Sequence, residues 1–238
     1  MINVVDFTSL THGFLSELFP WKDYEVPDLA ELAQFMDRRE KMGTSGVRST
    51  DCYVSPQAIV ASDVIIGAGA QIHEFATVRS GSIVGEGAVI GFGCEVSRSV
   101  LGPSCSLTHR ATVCSSIVGQ EAHLGAGVII ANTHLFDENM RNPTRPITVL
   151  SPQGDPVCLE VARFGALIGD GARIGMGAML GPGTLIGRNS VVYPGIIVGN
   201  ETIPERKVLK KRGDGYVMHE LRHDMFSLVE GQRGVAHG

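Results

Sequence analysis

A histidine beside a turn, an asparagine where a long loop departs and an arginine after a buried valine are the residues best suited to chemistry here. His109 stands in Leu107-Thr108-His109-Arg110, two places past an aliphatic residue, so at or near a corner and facing outward. A neutral imidazole there can accept a proton from an attacking amine or hydroxyl near neutral pH. On spacing alone, a surface histidine of no consequence is the better fit. Asn132 follows Val128-Ile129-Ile130, where an amide can orient a carbonyl or a hydroxyl, or simply tolerate a turn. Arg79, in Ala76-Thr77-Val78-Arg79-Ser80-Gly81, can pair with a phosphate or remain solvated.

What must position these residues is a repeat. An aliphatic residue returns every six positions at Val54, Val60, Ile66, Ile72, Val78, Val84, Ile90 and Val96. The register slips by one to Leu101, Leu107 and Val113, slips again to Val118, then runs through Leu124 and Ile130. It resumes at Ile168, Ile174, Leu180, Ile186, Val192 and Val198. Two places before most of these lies a small residue, such as Ala70, Ala76, Ala88, Ala166, Ala172 and Ala178. Side chains two apart on a strand share a side, so both series face inward and the Gly-, Asp- and Asn-rich remainder turns corners. Three hexads make one triangular coil, and about twenty hexads predict roughly six to seven coils of a β-solenoid. Such a prism fills its own interior, which leaves chemistry to the outside and to grooves between copies. By hexad count Arg79 and Asn132 share a corner three coils apart, and His109 falls on another. They can cooperate only through a neighbouring copy or the long loop, and a cyclic trimer on parallel axes is the natural closed solution.

A formal net charge of −5 and 6% aromatic content argue against a dedicated nucleic-acid binder. No apolar run reaches transmembrane length, and the start lacks the basic-then-apolar pattern of a signal peptide. Of the five cysteines, Cys52, Cys94 and Cys105 occupy inward small-residue positions. Structural thiols in a reduced, cytoplasmic protein fit this better than a disulfide framework.

Residues 1–48 carry no hexads and are read as a helical cap or linker over the first coil's edge. A helical pattern opens at Val26-Pro27-Asp28, continues through Leu29, Leu32, Phe35 and Met36, and stops near Gly43. The single Trp, in Leu18-Phe19-Pro20-Trp21, is read as a packing anchor. The solenoid spans 49–200 with an inserted loop at 131–165, and long ordered loops are usually functional. A tail occupies 201–238, with a basic run (Arg206, Lys207, Lys210, Lys211, Arg212) and a helix expected from about Tyr216 to Val229. The run is either solvated or placed to meet the phosphates of a cofactor docked on the last coils.

From about Ala76 to Val198 the chain resembles the C-terminal acetyltransferase domain of the bifunctional glucosamine-1-phosphate N-acetyltransferase/N-acetylglucosamine-1-phosphate uridyltransferase, especially its archaeal-type relatives. The likeness runs through Ala76-Thr77-Val78-Arg79-Ser80-Gly81, Glu95-Val96, Leu107-Thr108-His109, Leu124-Gly125-Ala126-Gly127, Ala131-Asn132 and Phe164-Gly165-Ala166-Leu167-Ile168-Gly169-Asp170. The resemblance implies a left-handed parallel β-helix trimer that uses acetyl-coenzyme A and no metal, with an amino sugar or sugar phosphate as acceptor. It implies that His109 is the base, that Asn132 helps hold the acetyl group or acceptor, and that Arg79 contacts the sugar phosphate. It implies a coenzyme groove along Ala126, Gly175, Met176, Gly177 and Pro194. Residues 1–48 are too few for the uridyltransferase half.

The acceptor pocket departs from the family. Ser97, followed by Arg98, stands where the family has a phosphate-binding Lys; Thr112 replaces a Tyr, His123 replaces an Asn, and Met176 replaces the Ser of bacterial members. The transfer machinery is retained while the acceptor pocket is rewritten, so glucosamine 1-phosphate is one candidate among several. Two other readings stay open. A γ-carbonic-anhydrase-like metal hydratase could use His73 and His109, but Cys114 stands where that family's close His pair would be completed. A non-catalytic trimerisation or regulatory module is also compatible with the fold.

Overall fold

The computed structural model describes residues 2–9, 28–41, 45–213 and 215–221. The Leu18-to-Trp21 segment and the helix end near Gly43 lie outside the described residues. Within them the hexads wind into a triangular parallel β-solenoid. The first face stacks Tyr53–Val54, Gln71–Ile72, Val89–Ile90, Ser106–Leu107, His123–Leu124, Arg173–Ile174, Val191–Val192 and Lys207–Arg212. The second stacks Ile59–Val60, Thr77–Arg79, Glu95–Ser97, Thr112–Cys114, Ile129–Ile130, Met179–Leu180 and Ile197–Val198. The third stacks Ile65–Ile66, Ile83–Val84, Val100–Leu101, Ile117–Val118, Ala166–Ile168, Thr184–Ile186 and Thr202–Ile203.

Strands this short form no stable unit singly, so each depends on parallel partners one coil away on either side. Both inward series meet on the axis, where Ile72, Ala76, Val78, Leu107, Ala122 and Leu124 are fully buried. Where the small position is polar, its hydroxyl bonds the backbone: Ser82 Oγ donates to Arg79 O at 2.6 Å and Ser190 Oγ to Pro204 O at 2.7 Å. That satisfies groups which would otherwise be costly to bury. Cys94 and Cys105 fill the small inward position ahead of a second-face and a first-face strand respectively, and burial pushes the Cys105 thiol up to about 12. All five cysteines are free thiols.

The one-residue slips have a structural cause. Val96 to Leu101 and Val113 to Val118 both cross the corner between second and third faces, yet Leu101 still pairs with Val84 and Val118 with Leu101. The shortened corner turns through Arg98 (φ 49°) and Ser115 (φ 47°), in the left-handed region that non-glycine residues seldom enter.

The third face is covered. Helix α1 (Leu29–Lys41) starts at a reciprocal cap, with Glu31 N donating to Asp28 Oδ1 at 2.9 Å and Asp28 N to Glu31 Oε2 at 3.3 Å. Its Leu29, Leu32, Ala33 and Met36 recur at helical spacing and bury against the outward side chains of the third face. The helix therefore lies along a lateral face rather than over the first coil's edge. That edge is extended instead by the chain at Val47–Ser49, with Ile66 N donating to Val47 O at 2.8 Å. The inserted loop shares the cover. Its hairpin, Thr148–Leu150 with Pro156–Cys158, places Ile147, Val149, Leu159, Val161 and Phe164 in the same second core. The coil then closes as if uninterrupted, Ile117 pairing with Leu167 across the excursion.

The expected helix from about Tyr216 is corrected over its first residues. Gly215–Glu220 is a strand, antiparallel to Lys207–Arg212 in the first-face sheet. Gly213 takes positive φ (61°) where the first strand ends, and pairing with an open sheet edge outweighs a short unsupported helix. The rest of that segment lies outside the described residues.

Candidate active site

Register fixes which side chains meet outside the prism. Leu107 pairs with Leu124, Leu124 with Ile174, and Ile174 with Val192. The residues two places further on (His109, Ala126, Met176 and Pro194) therefore stack in one column along the corner between first and second faces. Backbone bonds tie the column: Gly127 N to His109 O at 2.8 Å, Gly177 N to Ala126 O at 2.8 Å, Gly195 N to Met176 O at 2.9 Å. At about 4.8 Å per rung, His109 to Pro194 spans roughly 14 Å. Gly127, Gly177 and Gly195 all take positive φ (69°, 65° and 68°), and a Cβ on any of them would meet nothing within 4 Å. The corner is thus an open track with little side-chain relief.

Beside this column runs a groove of about 490 Å³, walled by His109, His123, Arg173, Met176, Tyr193 and Pro194, with Gly125 and Gly175 in its floor. His123 and Arg173 are register partners on consecutive rungs of the first face. Partial enclosure, then the neighbouring Arg173 guanidinium, holds the His123 imidazole below its ordinary pKa. At the end of the groove, Lys210 Nζ sits 4.6 Å from the Tyr193 ring centroid. Lys207 pairs with Glu220, and Lys211 and Arg212 are exposed beyond them.

Six residues expected from the sequence thus converge on one groove: His109, His123, Ala126, Gly175, Met176 and Pro194. Gly177 adjoins it. The others lie at the opposite edge of the second face or on that face. Arg79, Ser97 and Cys114 are register partners there, with Arg98, Ser115 and Asn132 one place on. Arg79 Nη2 is 2.6 Å from Glu95 Oε1, an ion pair with both side chains about half exposed. Ser97 is fully buried, and its hydroxyl makes no hydrogen bond within the chain. Asn132 Nδ2 donates to Ser115 Oγ at 3.0 Å, and Arg98 Nε approaches the same oxygen at 3.3 Å. Thr112 faces outward between Glu95 and Ile129. Arg79, Thr112 and Asn132 are not among the residues that line the His109 groove within one copy. Sequence reasoning missed Arg173 and Tyr193. Both occupy outward positions that the winding leaves unconstrained, and only Arg173's register with His123 and Tyr193's place directly after the inward Val192 mark them.

Among the described residues, no group of three or more His, Cys, Asp or Glu side chains is placed to hold a metal ion. His73 instead lies against Tyr53, ring centroids 5.9 Å apart. No helix among the described residues is long and apolar enough to cross a membrane.

A hexapeptide-repeat solenoid with an outward histidine over a corner groove is the class that fold and groove define, and comparison with known proteins agrees. Residues 59–151 match the family model of the GMPPB C-terminal domain. The chain is similar to the bifunctional protein GlmU of Acetivibrio thermocellus, at 29% identity over 103 residues, covering 42% of this chain and 22% of that protein. It is also similar to the uncharacterized acetyltransferase YaiX of Escherichia coli, at 30% identity over 144 residues, 52% of this chain and 59% of YaiX. The chain thus spans about a fifth of GlmU and under two thirds of YaiX. Among solved structures, the N-acyltransferase AntD of Bacillus cereus, in complex with dTDP and 3-hydroxybutyryl-CoA, matches at 15% identity and a TM-score of 0.41. That match covers 83% of this chain and 93% of AntD. The solenoid resembles hexapeptide-repeat acyltransferases.

Proposed function

We propose that the chain is an acyl-coenzyme A-dependent acetyltransferase whose acceptor is an amino sugar or sugar phosphate. The observation that supports this reading is the continuous groove from the His109 imidazole down the glycine-edged column of Ala126, Met176 and Pro194. A flat, open corner suits an extended pantetheine arm, and the exposed Lys211 and Arg212 beyond it suit the diphosphate. His109 takes the proton of the acceptor amine as its nitrogen attacks the thioester carbonyl. The N–C bond forms, the C–S bond breaks, and the departing thiolate is protonated. Positioning of amine and thioester supplies much of the acceleration, and no covalent enzyme intermediate is needed.

The site is completed by a second copy. Ile59, Ile129, Met179 and Ile197 are exposed in one row on the second face, and a cyclic trimer would cover them. The same packing brings the Asn132 edge of one copy toward the His109 groove of the next, where the Asn132 amide would hold the acetyl group or the acceptor.

The test is transfer from acetyl-coenzyme A to a panel of amino sugars and their phosphates. His109→Ala is expected to lower turnover by about a hundred- to ten-thousand-fold with the oligomer intact. Unchanged turnover in that variant removes His109 from the mechanism.

A further inference from the structure

The corner that carries His109 changes character at that residue. On the C-terminal side its left-handed turn positions are Gly127, Gly177 and Gly195, and the track is bare. At the rung of His109 and the two before it, the same positions hold Arg110 (φ 51°), Gly93 (φ 65°) and Phe75 (φ 58°). An aromatic residue there is strained where glycine would not be, and such strain persists where something selects the side chain. Ile90 pairs with Leu107, so Phe92 stands one rung from His109 in the same column, with Arg110 N donating to Phe92 O at 2.8 Å. The Phe75 and Phe92 rings meet edge to face, centroids 5.4 Å apart, yet Phe75 stays 57% exposed and Phe92 43%. The Arg110 stem lies over Gly93, where an added Cβ would meet Arg110 Cγ at 3.3 Å. Its guanidinium has no hydrogen bond or ion pair among the described residues. An open aromatic pair and an unengaged cation thus flank the imidazole on the side away from the coenzyme track.

We infer that Phe92, Phe75 and Arg110 form the acceptor subsite, with the acceptor's ring seated on Phe92, its amine at His109 and its anionic group on Arg110. This rests on the acetyltransferase reading, takes the acceptor class from it, and adds where the acceptor sits and which residues choose it. Direct transfer requires amine and thioester to meet at one base. With the pantetheine arm laid along Pro194, Met176 and Ala126, the column is open to the acceptor from the Phe92 end. One face of a pyranose presents C–H groups, which settle on the electron-rich face of a phenyl ring. The rung spacing of about 4.8 Å suits a sugar ring on Phe92 with its amine against the neighbouring imidazole. Phe75 braces the platform from the next turn. Arg110 offers a planar fork to phosphate oxygens, whereas the Arg79 guanidinium at the opposite corner is already paired with Glu95.

Calorimetric titration of the full chain tests the subsite apart from turnover, with glucosamine 1-phosphate and uridine diphosphate glucosamine as probes. At least one is expected to bind, and saturating coenzyme A should leave its affinity within about two-fold, because the two ligands lie on opposite sides of His109. Phe92→Ala is expected to weaken that probe about ten-fold and Phe92→Tyr to keep it within about three-fold. Arg110→Gln should weaken it about ten-fold, and neither Phe92→Ala nor Arg110→Gln should alter coenzyme A binding. Phe75→Gly is expected to weaken the probe while the melting temperature holds or rises, because glycine relieves the turn; a role in packing alone gives the reverse. The inference is overturned if neither probe binds, if coenzyme A competes, or if Phe92→Ala binds as wild type does. It also falls if Phe92→Ala breaks up the assembly in sedimentation velocity, or if Arg79→Ala loses the probe and Arg110→Gln keeps it. Transfer that depends on His109 but not on Phe92 sinks the subsite alone. A Phe92-dependent complex without transfer sinks the acetyltransferase reading alone.

Discussion

The second and third faces of the prism both present outward aliphatic side chains, and these meet opposite fates. Ile83, Val100, Ile117, Leu167 and Leu185 on the third face are sealed under α1 and the inserted loop. On the second face, Ile59 is 68% exposed and Ile197 59%, with Ile129 and Met179 also open. An outward aliphatic on a repeat strand therefore announces a cover without saying whose. One face is clothed by its own chain, and the other is bare in the single copy and, on our proposal, covered by a second one.

The largest expected effect lies under the cover. Phe164→Ala empties a fully buried site between the loop and the third face and should cost about 3–5 kcal/mol, read as a lower urea midpoint. A shift no larger than that of a surface variant would mean the loop merely drapes over that face.

Next comes the bare face. Ile129→Asp with Ile197→Asp should leave each folded copy within about 0.5 kcal/mol per site yet abolish the trimer in sedimentation velocity, and transfer with it. Retention of the trimer would assign the bare row to something other than self-assembly. Conversely, a wild-type monomer with full turnover would end the composite-site proposal.

Smaller still is Arg79→Ala. An ion pair this exposed contributes about 0.2–1 kcal/mol, so thermal unfolding should scarcely move. The smallest effect is a pH dependence at His123. Its folded pKa is lowered, so the unfolded chain takes up the proton first as pH falls. The site then loses stability on acidification from about pH 6.5 down through the folded midpoint. His123→Gln should flatten that part of a stability-against-pH curve, and an unaltered slope would place the titration elsewhere.

The comparison also explains how much was legible beforehand. Inward residues speak plainly, because only an aliphatic or a small side chain fits each position on the axis, so Ile72, Leu107 and Leu124 reveal coil, face and corner. From these the column of His109, Ala126, Met176 and Pro194 follows. Outward residues carry no such constraint. Ile117 and Ile129 are indistinguishable in sequence, although one is buried and the other open. Hence the sequence shows neither that α1 lies along a lateral face nor that Arg173 lines the groove. The strand at Gly215–Glu220 is hidden for a different reason: what fixes it is the open sheet edge offered by Lys207–Arg212, a long-range partner that the local pattern after Tyr216 does not reveal.

The excursion between Asn132 and Ala166 has a practical corollary. Since Ile117 meets Leu167 with no loss of register, this junction behaves as a cassette slot, accepting chain of other lengths without disturbing the windings above or below. Any replacement would need a greasy underside of its own to stand in for Phe164 and its companions. The solenoid tolerates new cargo here only if the cargo doubles as upholstery.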